Sequence, residues 1–174
     1  MRQPLRILGI DPGTATTGYG IVETDGETLV PIVHGVITTS PALPLSCRLK
    51  QLHTQLLDLI RVYGPTQAAV EELFFSRNAR TAMAVGHARG VVLLGLADAR
   101  LPISEYTPTQ VKQATTGYGG ATKEQVQEMV RLLLGLDYSP HPDDAADALA
   151  VAICHAHAYP LAARLASQIP EERA

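Results

Sequence analysis

Apolar positions come in short blocks through the first forty residues and then switch to a helical period. Residues 5–10 and 18–24 are two such blocks, separated by Asp11, Pro12, Gly13 and a set of threonines. Both read as strands. Asp25-Gly26 signals a two-residue hairpin into a third strand over about 28–38. Pro31 marks that strand as an edge. Leu45, Leu49, Leu52, Leu56 and Leu59 then recur at helical spacing until Gly64-Pro65 stops them. Ala68 to Val70 predicts a short strand ending in Glu71-Glu72. A long helix follows over 78–99, and Pro102 to Tyr106 predicts a fifth strand. Thr107 can cap a short helix with Pro108 at its first position, running to about Ala114. After the loop TTGYGGA (115–121), Thr122 and Gln125 form a capping-box pair. They open a helix whose apolar face is Val126, Met129, Val130, Leu133 and Leu134, ended by Gly135. A last helix starts near Pro142.

This order sets the architecture. Three strands on short turns make an antiparallel meander, and two further strands reached through helices must join by parallel crossovers. The expectation is an α/β fold, a mixed five-stranded sheet flanked by helices. In such sheets, sites gather at the carboxyl ends of strands where the strand order switches. Asp11 ends the first strand and Glu71 the fourth; if those strands are parallel neighbours, both acids project from the same edge. An ordinary turn that happens to contain Asp is the alternative for Asp11.

The chain has 174 residues and 46% hydrophobic content, which suits one domain with a sizeable core. That domain is expected over 1–158, with 159–174 as a C-terminal tail expected to be mobile. There is no apolar run of membrane-spanning length and no signal-like N-terminus. The two cysteines, Cys47 and Cys154, lack metal-ligand spacing, so a reducing, cytoplasmic setting is expected. The net charge of −3 argues mildly against nucleic acid, but its distribution does not. Between Ser76 and Arg131 there are seven bases and four acids, a local excess of +3 against −6 over the rest. An acidic site beside a basic surface suits a metal nuclease.

The remaining chemistry lies in a few side chains. Asp144 and Asp147 sit three apart at the start of the last helix and share a face. The helix dipole gives them a structural excuse, but their neighbours form an Ala-rich packing surface where free acids are costly. Asp143 is read as an N-terminal charge. Carboxylates without His or Cys partners point to a hard cation, Mg²⁺ or Mn²⁺, and a pair of such ions is the clamp for phosphodiester hydrolysis. Lys112 and Lys123 flank the glycine-rich loop and can hold a scissile phosphate, or can be solvated lysines. Phe74 and Phe75 are adjacent and precede the basic SRNAR. One can stack on an unpaired base; the alternative is that both are core. Gly86 and Gly90 permit close approach of another helix. His87 has no partners at metal spacing.

With these residues in place, the chain resembles the RuvC family of bacterial Holliday-junction resolvases, in the ribonuclease-H-like superfamily. The resemblance spans roughly 5–158. It rests on GIDPGTATTGYGIV, AVEELFFSRNARTA, GHARGV, VKQATTGYGGATKEQVQ and DDAADALAVAICH, all in the family's order. It implies a ribonuclease-H-like fold and a homodimeric, Mg²⁺-dependent endonuclease, with two ions per subunit and Mn²⁺ as a substitute. The family nicks opposed strands of four-way DNA junctions symmetrically in recombination and repair, prefers to cut after paired thymines, leaves ligatable ends, and works with the RuvA–RuvB branch-migration complex. By matching motifs, Asp11, Glu71, Asp144 and Asp147 correspond to the catalytic, metal-binding acids. The residue matching Asp144 is Asp or His among members; its DxxD spacing to Asp147 selects it over Asp143. Lys123 corresponds to a positively charged residue of the catalytic set, placed near the scissile phosphate. Phe74, Arg77, Asn78, Arg80, Lys112 and Lys123 correspond to the DNA-binding set, and the 78–98 helix to the dimer interface. Rival classes are weaker. An actin-like ATPase needs a second domain, a non-catalytic junction binder needs no acid set, and a ribonuclease H shares the acids but not the aromatic-basic segment.

Overall fold

A computed structural model describes residues 4–72 and 79–166, without the side chains of 79–81 and 160–166. Strands β1 (Leu5–Asp11), β2 (Thr16–Thr24) and β3 (Leu29–Thr38) form the meander. Helix α1 (Leu45–Tyr63) leads to β4 (Gln67–Glu71), α2 (Ala79–Asp98) to β5 (Ile103–Tyr106), and α3 (Pro108–Thr116), α4 (Lys123–Leu133) and α5 (Asp143–Ala166) complete the order. The sheet runs β3-β2-β1-β4-β5. β1 pairs antiparallel with β2 and parallel with β4, and β4 pairs parallel with β5. The expected mixed sheet is therefore present, with β3 at an edge and the direction of pairing switching at β1.

Each face of the sheet carries its own core. Leu8, Ile10, Ala68 and Val70 pack under Leu52 and Leu56 of α1 and Ala88, Val92 and Leu96 of α2. Ile7, Val22 and Ala69 point the other way, toward Val111, Val126, Val130 and the α5 run from Leu149 to Cys154. This division follows the two-residue alternation of strands. Helix α5 is Ala-rich and, apart from half-buried Asp147, buried from Ala145 to Ala156. It is the central helix, enclosed by the sheet on one side and by α3 and α4 on the other. Its seat on the sheet is made of glycines. A Cβ at Gly9 would stand 2.1 Å from the Ala148 carbonyl oxygen, and one at Gly18 would stand 1.9 Å from that of Asp144.

The caps follow the sequence expectations. Gly64 is left-handed (φ 57°) and donates to the Ile60 carbonyl, ending α1. Thr122 and Gln125 close a capping box on α4, and Thr107 closes a second with Gln110 on α3. Four boundaries differ from expectation. The β2–β3 loop has four residues, 25–28, because Asp25 Oδ1 accepts from the Glu27 and Thr28 amides and makes its own turn. β2 begins at Thr16, before Gly18, and α3 runs on to Thr116. Leu45 is 42% exposed, so the buried stripe of α1 narrows to Leu52 and Leu56. Finally, α5 continues to Ala166, eight residues past the boundary set at 158.

Candidate functional site

Asp11 is the last residue of β1, and Glu71 is the last residue of β4, one step beyond the Ile10–Val70 pair. Both side chains therefore leave the sheet on the α5 face. The turn after Asp11 is tightly tied. Thr17 Oγ1 donates to the Gly13 carbonyl at 2.7 Å, Thr39 Oγ1 donates to the Thr14 carbonyl at 2.6 Å, and the Thr14 hydroxyl donates to the Ala84 carbonyl on α2. These threonines brace a backbone. Gly18 sits opposite Asp11 in the β1–β2 register. Its missing side chain lets the start of α5, with Asp144 and Asp147, descend onto that strand end.

The four acids interact strongly. Burial raises the Asp11 carboxyl to about 8, reinforced by the charges of Glu71, Asp147 and Asp144. Burial also raises Glu71, to about 7, with Asp147 adding and with Asp11, Lys112 and Lys123 opposing. Asp11 and Glu71 each shift the other, the mutual influence of two carboxyl groups at adjoining strand ends. Asp147 is likewise raised by burial, against the pull of Lys123. Lys123 Nζ lies 3.2 Å from Asp147 and 3.3 Å from Asp143. Burial lowers the lysine's affinity for its proton, but Asp147 outweighs this and holds the ammonium above its ordinary value. Asp143 is exposed, accepts from Gln127 at 3.0 Å, and is lowered by that bond and by Lys123. It behaves as the helix-start charge expected of it.

Two clefts flank the acids. One, of about 250 Å³, is lined by Glu71, Asp147, Lys112 and Lys123. The other, of about 650 Å³, opens beside Gly13, Thr14, Arg48, Met83, His87 and Asp144. The donor set is all carboxylate oxygen, which fits a hard cation such as Mg²⁺ or Mn²⁺. Among the described residues, no three acid, His or Cys groups already enclose a common point. Asp147 faces Lys123 at 3.2 Å, so a cation that takes Asp147 as a donor has to displace that ammonium.

Of the expected site residues, Asp11, Glu71, Asp144, Asp147, Lys112 and Lys123 come together. Phe74, Arg77 and Asn78 lie outside the described residues, as does the Arg80 side chain. His87 is exposed and lines the larger cleft. Three residues that serve the site were missed by sequence reasoning. Gly18 makes room for α5, Thr14 binds α2, and Arg89 of α2 donates to the Glu71 carbonyl at 2.7 Å. Gly9 and Asp11 on β1, with Gly18 and Gly20 on β2, alternate on one strand face opposite an Ala-rich helix. That pattern was the available signal for close packing.

A mixed sheet with acids at adjoining parallel strand ends, a third and fourth acid on the crossing helix, and lysines beside them defines the ribonuclease-H-like class. The family model for crossover junction endodeoxyribonuclease RuvC matches residues 7–155. The crossover junction endodeoxyribonuclease RuvC of Desulforamulus reducens is 61% identical over 150 residues, 86% of this chain and 92% of that one. The Thermus thermophilus RuvC structure superposes with a TM-score of 0.84 at 39% identity, covering 91% of this chain and 97% of that one. The same organism's RuvC in complex with Holliday junction substrate gives 0.87 at 40% identity, covering 91% and 96%. The chain belongs to the RuvC family.

Proposed function

We propose that this chain resolves four-way DNA junctions by paired, symmetric hydrolytic nicks, using Asp11, Glu71, Asp144 and Asp147 as ligands to two Mg²⁺ ions, with Mn²⁺ able to substitute. The observation that supports the reading best is convergence. Two strand ends sixty residues apart and the start of a third element bring four carboxylates to one edge of the sheet, with Lys123 at hydrogen-bonding distance of Asp147. Bound Mg²⁺ or Mn²⁺ supplies Lewis-acid stabilisation of charge developing on the phosphodiester. The chain's own residues do the rest. Burial against α5 keeps the acids in a low dielectric, where each charge interaction is strengthened. Lys123, released from Asp147, places an ammonium beside the scissile phosphate, and Lys112 adds a second positive charge across the same cleft.

Phe74 stacks on an unpaired base at the junction centre, with Arg77, Asn78 and Arg80 holding phosphates nearby. A homodimer through the 78–98 helix gives two sites related by a two-fold axis, matching the near two-fold symmetry of the substrate. The outward face of α2 supports that pairing. Met83 is 65% exposed and Leu94 56% exposed, and between them Gly86 and Gly90 have open space where a Cβ would stand. The RuvA–RuvB complex is the expected partner and the cytoplasm the expected setting. Among the described residues, no helix is long and apolar enough to cross a membrane.

The test offers a synthetic four-way junction, a linear duplex and an RNA–DNA hybrid, each with and without Mg²⁺ or Mn²⁺. Paired symmetric nicks in the junction alone, only with metal, are expected. Asp11→Asn should abolish cutting and keep junction binding. Preferred cutting of the hybrid, or full cutting by Asp11→Asn, would overturn the proposal.

A further inference from the structure

The end of β4 has a backbone problem, and α2 solves it. Ala68 donates its amide to Pro102 at 2.9 Å and Glu72 donates to Tyr106 at 2.8 Å, so even-numbered residues of this stretch face β5. By alternation, the backbone of Glu71 faces β1. The β1–β4 pairing stops at Ile10–Val70. One more rung would take the Glu71 carbonyl to the amide of residue 12, and residue 12 is proline, which has none. The carbonyl of the residue that carries the second strand-end acid is thus left without its ladder donor. Arg89 fills that place: its Nη1 donates to the Glu71 carbonyl at 2.7 Å. Its other terminal nitrogen is ion-paired with Glu105 on β5, and the side chain is only 17% exposed.

We propose that Arg89 is a positioning residue for cleavage, fixing the Glu71 strand end by supplying the hydrogen bond that Pro12 cannot. The proposal rests on Glu71 being a metal ligand. Arg89 acts through geometry, because Glu105 offsets the guanidinium charge and the hydrogen bond is made to the backbone. The same helix holds the other strand end through Thr14 and the Ala84 carbonyl. One rigid element therefore sets the spacing between the backbones of Asp11 and Glu71. A guanidinium suits the task because its planar fork serves two acceptors at once, which an ammonium on a single stem does not reproduce.

The experiment uses the full chain with Arg89→Met, Arg89→Lys, Glu105→Gln and Glu71→Gln. Mn²⁺ binding to the DNA-free protein is measured by calorimetry. Single-turnover cleavage of a four-way junction is measured at saturating Mg²⁺, per molecule competent to bind the junction in Ca²⁺. Arg89→Met should weaken Mn²⁺ binding and slow cleavage by about tenfold or more, with junction affinity unchanged. Arg89→Lys should recover part of both losses, and Glu105→Gln should lose much less than Arg89→Met. Should Arg89→Met fail to fold, the partial loss in Arg89→Lys carries the test. Wild-type Mn²⁺ binding and cleavage per competent molecule in Arg89→Met, or in Arg89→Lys if only that variant folds, would overturn the proposal. So would a loss confined to thermal stability. Glu71→Gln separates the two levels. If it binds Mn²⁺ and cuts normally, the assignment of Glu71 fails and Arg89 with it. If it is inactive while Arg89→Met is normal, Arg89 alone fails.

Discussion

Gly18→Ala should disable the site by adding one methyl group that meets Asp144 chiefly at its backbone and reaches no carboxylate oxygen within the contacts it makes. The ideal Cβ would stand 1.9 Å from the Asp144 carbonyl oxygen and 2.5 Å from its carbonyl carbon, whereas ordinary van der Waals contact begins at 3.4 Å. The start of α5 must therefore retreat by about 1.5 Å, since the obstacle is helix backbone and no side chain can rotate away. Asp144 and Asp147 ride on that first turn, so they retreat from Asp11 and Glu71. A misplacement of about 1 Å in a catalytic constellation costs on the order of 10²-fold. Overpacking itself should destabilise by about 1–3 kcal/mol. Gly20→Ala is the control on the same strand face. Its Cβ would meet the Leu149 side chain, Cδ2 at 2.6 Å and Cγ at 2.7 Å, and the Leu149 backbone nitrogen only at 3.0 Å, so the helix backbone has far less to give and activity should fall less. The assay is single-turnover junction cleavage per junction-binding molecule, with thermal unfolding alongside. Cleavage by folded Gly18→Ala at the wild-type rate, or equal losses in the two variants, would refute the argument that the glycine seats the acids.

Lys123→Met should lower the single-turnover rate by about 10²-fold, the scale of removing one preorganised donor, with junction affinity changing far less; comparison of rate and Kd checks it. The buried His155 should make stability pH-dependent. Its Nδ1 lies 2.8 Å from the Tyr106 hydroxyl and its Nε2 2.5 Å from Gln67 Oε1, and burial lowers it from 6.5 to about 4. The unfolded chain binds the extra proton between those values, so this contribution, at most about 3 kcal/mol, is full above pH 6.5 and lost as pH falls toward 4. Urea unfolding of the wild type minus His155→Gln across pH 4.5–7.5 should show that slope; a flat difference would contradict it. Asp11 acts with the opposite sign. Raised from 3.8 to about 8, it makes the metal-free protein less stable as pH rises through that window, and Asp11→Asn should flatten that fall.

The mixed five-stranded sheet was legible because few topologies satisfy two short turns and two helical crossovers, and the caps were legible because Thr107, Thr122 and Gly64 act on their own neighbours. The acids were legible because strand ends and a helix start are places that a pattern can locate. What stayed hidden depends on distance through the fold. The four-residue loop at Asp25 turns on where one side-chain oxygen points. The role of Gly18 needs the register that puts it opposite Asp11 and the helix that lands on it. The bond from Arg89 to Glu71 joins residues eighteen apart, and it matters only because a proline sits at the next rung of a different strand.

The site is tolerated because each of its charges is offset by something that can leave. Two carboxylates about 4 Å apart at an effective dielectric near 20 repel by about 4 kcal/mol, so four half-buried acids together are costly as bare anions. In this fold burial and the neighbouring charges favour the neutral form of Asp11, Lys123 balances Asp147, and the first turn of α5 favours Asp143 and Asp144. The scaffold beneath has no such freedom. Gly9 and Gly18 let α5 press against the sheet, Ala148 to Ala156 are buried, and Thr14 and Arg89 bind both strand ends to α2. A divalent cation then competes with a proton and an ammonium for donors whose backbones are already in place. Its affinity should rise with pH as Asp11, raised to about 8, loses its proton, and the protein need not refold to receive it.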